Sequence, residues 1–372
     1  MRAYPFILLF LAAFALPVSA DIKIDLGVSG GYVQNLLKDS SDLEDSYSTT
    51  TAKFNIYPIR SLEFNVLAEY TYYGKTYNLS NFVGGIGFRF IPTSRNSPVS
   101  LYLSGNLNER KYRELFKGFD NRGTELVIGM VHRLSPGIHH RTGVSFRSSS
   151  YLDSDIADQK NYELFTAWNA TFLGSNSLDC EIGFGVARYN SIREDIFDVL
   201  PDPETGQVDD TIYIERNLCS FYISPRLSRP IGSKIGLNLT FTHRDFLNSN
   251  EAIVYGSSNQ YLSPWASVWE GQSITATIKT FLVPKFIITT GAGYRVKTFL
   301  KTLEQNQFAP WQAESHKEEE SKSYLQLQRP IAFRSGLLIE PSVQIEYTHN
   351  FSLSRLYDYT DVSVSGGIII RL

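Results

Sequence analysis

From residue 62 to 72 the chain alternates apolar and polar positions with a period of two: Leu62, Phe64, Val66, Ala68, Tyr70 and Tyr72 against Glu63, Asn65, Leu67, Glu69 and Thr71. The same period recurs in Ile235, Leu237, Leu239 and Phe241, in Leu337, Ile339, Pro341, Val343, Ile345 and Tyr347, and in Val362, Val364, Gly366, Ile368, Ile370 and Leu372. A period of two places one set of side chains on each face of a β-strand. The runs exceed the roughly 5–6 residues of an ordinary strand and match the roughly 9–11 of a strand that crosses a hydrocarbon layer. Residues 47–57, 265–282 and 321–331 alternate least well.

The punctuation sorts into two kinds. Tight turns are predicted near Pro58–Ser61, Pro92–Asn96, Ser135–Gly137, Gly174–Ser177, Pro230–Ser233, Val283–Lys285 and Ala332–Ser335. Longer polar connections lie between them, near 35–46, 74–80, 112–122, 153–160, 191–215, 247–264, 300–322 and 350–357. A β-sandwich also alternates, but its loops have no reason to sort by end. Short turns at one end and long loops at the other predict an all-β fold: a closed antiparallel transmembrane β-barrel of about 16 strands, with both termini at the turn end, which is the periplasmic one.

The N-terminus reads separately. Arg2, the apolar run from Phe6 to Leu16 and the small residues of Val18-Ser19-Ala20 have the form of a cleavable secretory signal, too short to span a bilayer as a helix. Residues 1–20 are therefore assigned to the signal and 21–372 to a single barrel domain with no plug domain. Tyr 22 and Phe 24 suit aromatic girdles at the membrane surfaces, whereas Cys 2 argues against a disulfide framework. A net charge of -3 offers no basis for a nucleic-acid partner.

Over the whole mature length this pattern resembles bacterial outer-membrane β-barrels as a class, the porin-like proteins included. The last strand, Gly366-Gly367-Ile368-Ile369-Ile370-Arg371-Leu372, looks like the signal read by the barrel-insertion machinery, carried here by Gly366, Ile368, Ile370 and Leu372. Leu372 stands where the class usually has an aromatic residue. The resemblance implies residence in the bacterial outer membrane, contact with its lipid and surface glycolipid, and a possible homo-oligomer.

If the apolar phase meets lipid, the polar phase meets the lumen, because a charge in hydrocarbon costs about 2–4 kcal/mol at mid-depth. The phase places Glu63, Glu69, Glu125, Glu163, Asp179, Glu181, Glu340, Glu346 and Asp361 inside, with Arg89, Arg110, Arg133, Arg141, Arg147, Arg226, Lys234, Arg244, Lys279, Arg295, Lys297 and Arg371. Such residues either bias which solutes pass or pair across strands to stiffen the wall. A barrel of about 16 strands is too wide for wall side chains to fill, so a channel follows in either case. Gly84, Gly85, Gly87, Gly291 and Gly293 leave gaps for a loop, for bulky opposing side chains or for curvature.

Acidic clusters mark three outer loops: Asp39, Asp42, Glu44 and Asp45 in the first, seven acids between Glu194 and Asp210 in the fifth, and Glu318, Glu319 and Glu320 in the seventh. They solvate the loops, or hold divalent cations against anionic glycolipid. The fifth and seventh, being longest, are the ones expected to fold inward. General diffusion porins usually constrict at the third loop, which here is short.

Enzymatic chemistry finds little support. His243 lies in the lipid-facing phase near a loop end, but no Ser shares that phase and depth on the neighbouring strands. Adjacent His139 and His140 point to opposite faces, and no cofactor or metal motif is present. Cys180 and Cys219 share the outward phase, yet symmetrical pairing about the fifth loop sets Cys180 opposite a residue near Ile223, which favours two free thiols. The expected function is passive or weakly selective passage of small solutes by a non-enzymatic outer-membrane channel. The alternatives are a surface-binding scaffold or a lipid-modifying enzyme.

Overall fold

A computed structural model describes residues 21–38, 42–92, 97–152, 154–172, 175–192, 213–248, 253–254, 269–282, 285–299, 301–304, 312–314, 317–352 and 357–372. Sixteen long strands form the barrel: β1 Asp21–Val33, β2 Asp45–Ile59, β3 Leu62–Tyr73, β4 Asn81–Phe90, β5 Val99–Tyr112, β6 Asn121–Ser135, β7 Ile138–Tyr151 and β8 Ser154–Phe172. The circuit continues with β9 Asn176–Ile192, β10 Tyr213–Ile231, β11 Ile235–Phe246, β12 Trp269–Leu282, β13 Phe286–Phe299, β14 Lys317–Gln328, β15 Leu338–Ser352 and β16 Tyr359–Arg371. Each pairs antiparallel with the next, and β16 pairs back with β1 from Asp25↔Arg371 to Val33↔Ser363, so the sheet has no free edge. Closure matters because every backbone polar group in hydrocarbon needs a partner within the sheet.

The described turns fall where the sequence placed them. Arg60 and Ser61 separate β2 from β3, and Pro136 and Gly137 separate β6 from β7. Three others use a positive φ: Ser175 (66°), Gly232 (66°) and Lys285 (84°). Ile331–Ala332 adds a short piece of strand beside β15, and Gly336, at φ 88°, turns the chain into it.

At the opposite end the structure departs from the sequence reading. Residues 154–160, assigned to a loop, extend β8 to 19 residues, beyond the length a membrane needs. Above the lipid no face has to be apolar, so a strand can continue without the period that reveals it. For the same reason Glu318, Glu319 and Glu320 belong to β14 rather than to the seventh loop. Ile253–Val254, Lys301–Glu304 and Gln312–Glu314 form a separate three-stranded sheet at this end. The fifth-loop acids lie outside the described residues.

Packing is inverted relative to a soluble protein. Leu26, Val28, Ile128, Leu164, Phe184, Ile274, Val343 and Ile368 are all exposed on the outer face. An apolar surface that encircles the barrel is a lipid-facing wall, not an isolated patch. The described buried apolar cluster sits at the loop end. There Val33, Leu36, Tyr73 and Leu79 pack together with Leu37, Tyr47 and Phe116.

Candidate functional site

The charged residues described next lie on strands, on the face opposite the exposed apolar residues, whereas Lys234 lies in the turn between β10 and β11. Most of these charges meet a partner on another strand. Arg147 Nε donates to Glu125 Oε1 at 2.8 Å, and Arg141 pairs with Glu181 across two strands at 2.5 Å. Arg226 holds Asp179 at 3.1 Å, Lys322 holds Glu346 at 2.7 Å and Arg371 holds Glu340 at 2.8 Å. Glu63 accepts from the Tyr57 hydroxyl at 3.3 Å and lies opposite Arg89, while Glu69 accepts from Thr51 at 3.3 Å. Arg110 reaches the Tyr112 hydroxyl at 3.5 Å. Arg244 lies over the rings of Phe246 and Trp269, and Lys279 over Phe281.

The deepest of these contacts involves an acid that the sequence had placed in a loop. Glu318 is 0% exposed; its Oε2 accepts from Lys297 Nζ at 3.0 Å and from Asn350 Nδ2 at 3.1 Å. Lys297 also reaches Glu320 at 3.1 Å, and Arg295 lies 3.9 Å from the other oxygen of Glu320. The even members of the acidic run thus face inward, adding two carboxylates to the lumen. Just below, Ser273, Thr275, Thr277, Arg295, Glu320, Lys322 and Tyr324 line a polar recess of about 250 Å³.

Bulky inward tyrosines lie along the wall rather than across it. Tyr102, Tyr222 and Tyr324 each sit directly opposite a glycine, Gly129, Gly183 and Gly291 respectively. A Cβ on Gly183 would lie 2.2 Å from Tyr222 Cε1, and one on Gly291 would lie 2.4 Å from Tyr324 Cε1. The rings therefore occupy the space a side chain would take. Of the three roles open to Gly291, making room for a bulky opposing side chain is the one observed. Flattened against Gly183, the Tyr222 hydroxyl lies 2.8 Å from a Glu181 oxygen and 3.2 Å from a Glu163 oxygen, sharing its one proton between them and tying three strands together.

The first three loops meet at the mouth. Asp45, 0% exposed, is not a free loop acid: its carboxylate accepts from the backbone N–H of Ser46, Lys75 and Thr76 at 2.7–2.8 Å, which fastens the first loop to the second. Glu44 is exposed, and hydrogen bonds from Lys75 and then Tyr32 hold its carboxyl below the usual carboxylate range. Leu36, Leu79 and Phe116 supply the apolar contacts. Sequence reading missed these residues because isolated apolar side chains within polar connections carry no period.

His243 gains no hydroxyl neighbour across its strands, and the two cysteines do not meet. His243 faces Ile223 on one side and Gln272 on the other. Cys180 stands opposite Pro225 and Cys219 opposite Val186, six positions apart in register, and both are free.

No protein-family model matches the chain, and no curated protein matches it. Solved structures share its architecture. OccK2 (OpdF) of Pseudomonas aeruginosa is 10% identical with a TM-score of 0.51, covering 95% of this chain and 98% of that one. OccAB3 of Acinetobacter baumannii is 11% identical with a TM-score of 0.51, covering 95% and 100%. CdiB from Acinetobacter baumannii is 9% identical with a TM-score of 0.53, and the match spans 94% of this chain but 60% of CdiB. At such identities the likeness is one of fold. Together with the lipid-facing belt and the closed sheet, it makes this chain a sixteen-stranded β-barrel of the bacterial outer-membrane type.

Proposed function

We propose that the protein is a passive or weakly selective channel for small polar solutes, oriented with its loops outside the cell and both termini in the periplasm. The observation that carries this reading is the interior itself. A closed barrel of sixteen strands encloses an aqueous lumen, and here the inward rings of Tyr102, Tyr222 and Tyr324 lie flat on wall glycines while charges pair along the wall. Selectivity is then weak because each ion pair presents little net field to a passing solute. The polar recess beside Arg295, Glu320 and Lys322 is the place on the described wall where both signs of charge and several hydroxyls face one solute-sized space.

The loop cluster of Leu36, Leu79 and Phe116 favours a second reading, a surface scaffold whose mouth is covered. Planar-bilayer recording separates the two. Stable ohmic steps from folded protein are expected, and silence refutes the channel. A catalytic role is not proposed: the cross-strand neighbours of His243 offer no hydroxyl nucleophile among the described residues. Cleavage after Ala20 and recognition of Gly366, Ile368, Ile370 and Leu372 during insertion complete the proposal.

A further inference from the structure

The inner wall is wet on one side and covered on the other. Across β7–β10 the inward cations keep about half of their side-chain surface in solvent: 54% for Arg147, 47% for Arg141 and 51% for Arg226. At the loop end of β14–β16 the inward positions are shut off instead, and Glu318, Thr348, Asn350, Ser352, Tyr359 and Asp361 are all buried. They form one patch, because Glu318 pairs with Ser352, Asn350 with Tyr359 and Thr348 with Asp361 across three consecutive strands. A polar patch on the inner face of a wide barrel stays dry only where other chain lies over it.

The first loop supplies that chain. The Gln34 N–H donates to Val362 O at 3.0 Å, which carries the pairing of β1 with β16 one residue beyond Val33. The next residue turns inward: the Asn35 N–H donates to Asp361 Oδ1 at 3.0 Å. Asp361 is on the lumen face, three positions from Val364, which is exposed on the outer one. Asn35 and Leu36 are buried, and the Leu36 N–H donates to Leu43 O at 2.8 Å as the loop returns. The Lys38 ammonium interacts with both Asp361 and Glu320. Those carboxylates stand on β16 and β14, about 10 Å apart with β15 between them. Lys38 therefore lies over the inner face of β15. From the last loop, the Tyr357 carbonyl accepts from Asn350 Nδ2 at 2.6 Å and closes the patch.

Energetics tie the loop to this position. A carboxylate as buried as Asp361 is costly unless donors and cations compensate it. The Asn35 N–H and Lys38 provide that compensation only while the loop lies inward.

We propose that residues 34–38 form the constriction of the pore, with Asp361 as the positioning residue that holds them across the inner faces of β15 and β16. Lys38 is the charge that a solute passes, beside the recess lined by Arg295, Glu320 and Lys322. This deepens the channel reading above and rests on it. Length alone pointed to the fifth and seventh loops as the ones that fold inward. The first is shorter, but it starts beside the buried acid of β16, so one bond to a carboxylate is enough to draw it in.

The test uses the full mature barrel in lipid bilayers, read by single-channel recording and by hydrogen–deuterium exchange. Asp361→Ala removes a hydrogen bond to a charged acceptor, so peptides spanning residues 34–38 should exchange about tenfold faster or more, and conductance should rise. Asp361→Asn, whose amide oxygen still accepts from Asn35, should keep both near wild type. Lys38→Gln, which alters no strand, should shift the reversal potential in a salt gradient toward cations. Glu109→Gln, on the outer face of β5, should change neither readout. Circular dichroism confirms that each variant keeps its strands, and Lys38→Gln carries the test if Asp361→Ala does not. Unchanged exchange in folded Asp361→Ala protein overturns the role of Asp361. Normal steps that neither Asp361→Ala nor Lys38→Gln alters overturn the constriction alone, whereas a silent wild type removes the channel reading and the constriction with it.

Discussion

Replacing Lys297 by Met tests whether the paired charges near the loop end hold the wall together. Lys297 is 5% exposed and Glu318 0%, with 3.0 Å between their charged atoms. Removing one partner of such a pair leaves a buried charge and costs about 3–5 kcal/mol. Asn350 still donates to Glu318 at 3.1 Å, so the loss belongs at the lower end, about 3 kcal/mol. Glu318→Gln is the informative contrast. It keeps an acceptor for Asn350, and Lys297 keeps Glu320 at 3.1 Å, so the loss should be about 1 kcal/mol, close to that of one hydrogen bond. The assay is urea unfolding of the barrel in lipid vesicles, followed by tryptophan fluorescence, comparing midpoints at constant slope. Equal losses in the two variants, or less than about 1 kcal/mol for Lys297→Met, would show that the pair is solvated and the argument wrong.

Two further outcomes follow from register. Gly183→Ala should drive the Tyr222 ring off the wall, since the added Cβ would sit 2.2 Å from Cε1; single-channel conductance should fall, and adding Tyr222→Ala should restore it. Unchanged conductance from folded Gly183→Ala protein would refute the flattened-tyrosine account. Oxidation should not join Cys180 to Cys219, whose partners are Pro225 and Val186, so electrophoretic mobility should be the same with and without reductant; a shift reversed by reductant would mean the β9–β10 register is different.

Much of the barrel was legible because the pleat forces a period of two wherever one face must be apolar. The phases of β3, β11, β15 and β16 could be read directly, and the sorted connections supplied the strand count. The period fails where the constraint does. Beyond the lipid neither face of a strand has to be apolar, so Ser154 to Lys160 and Glu318 to Glu320 read as loop although they extend β8 and β14. The mouth was hidden for a related reason, because Leu36, Leu79 and Phe116 meet only after three separate loops converge.

The sequence alone determined which residues face which solvent, since that depends only on parity along each strand. Which residues meet across strands depends on register, and hairpin length and twist set register for the sheet as a whole. Only the closed barrel therefore decided that Lys297 would bury against Glu318 and that Tyr222 would lie on Gly183.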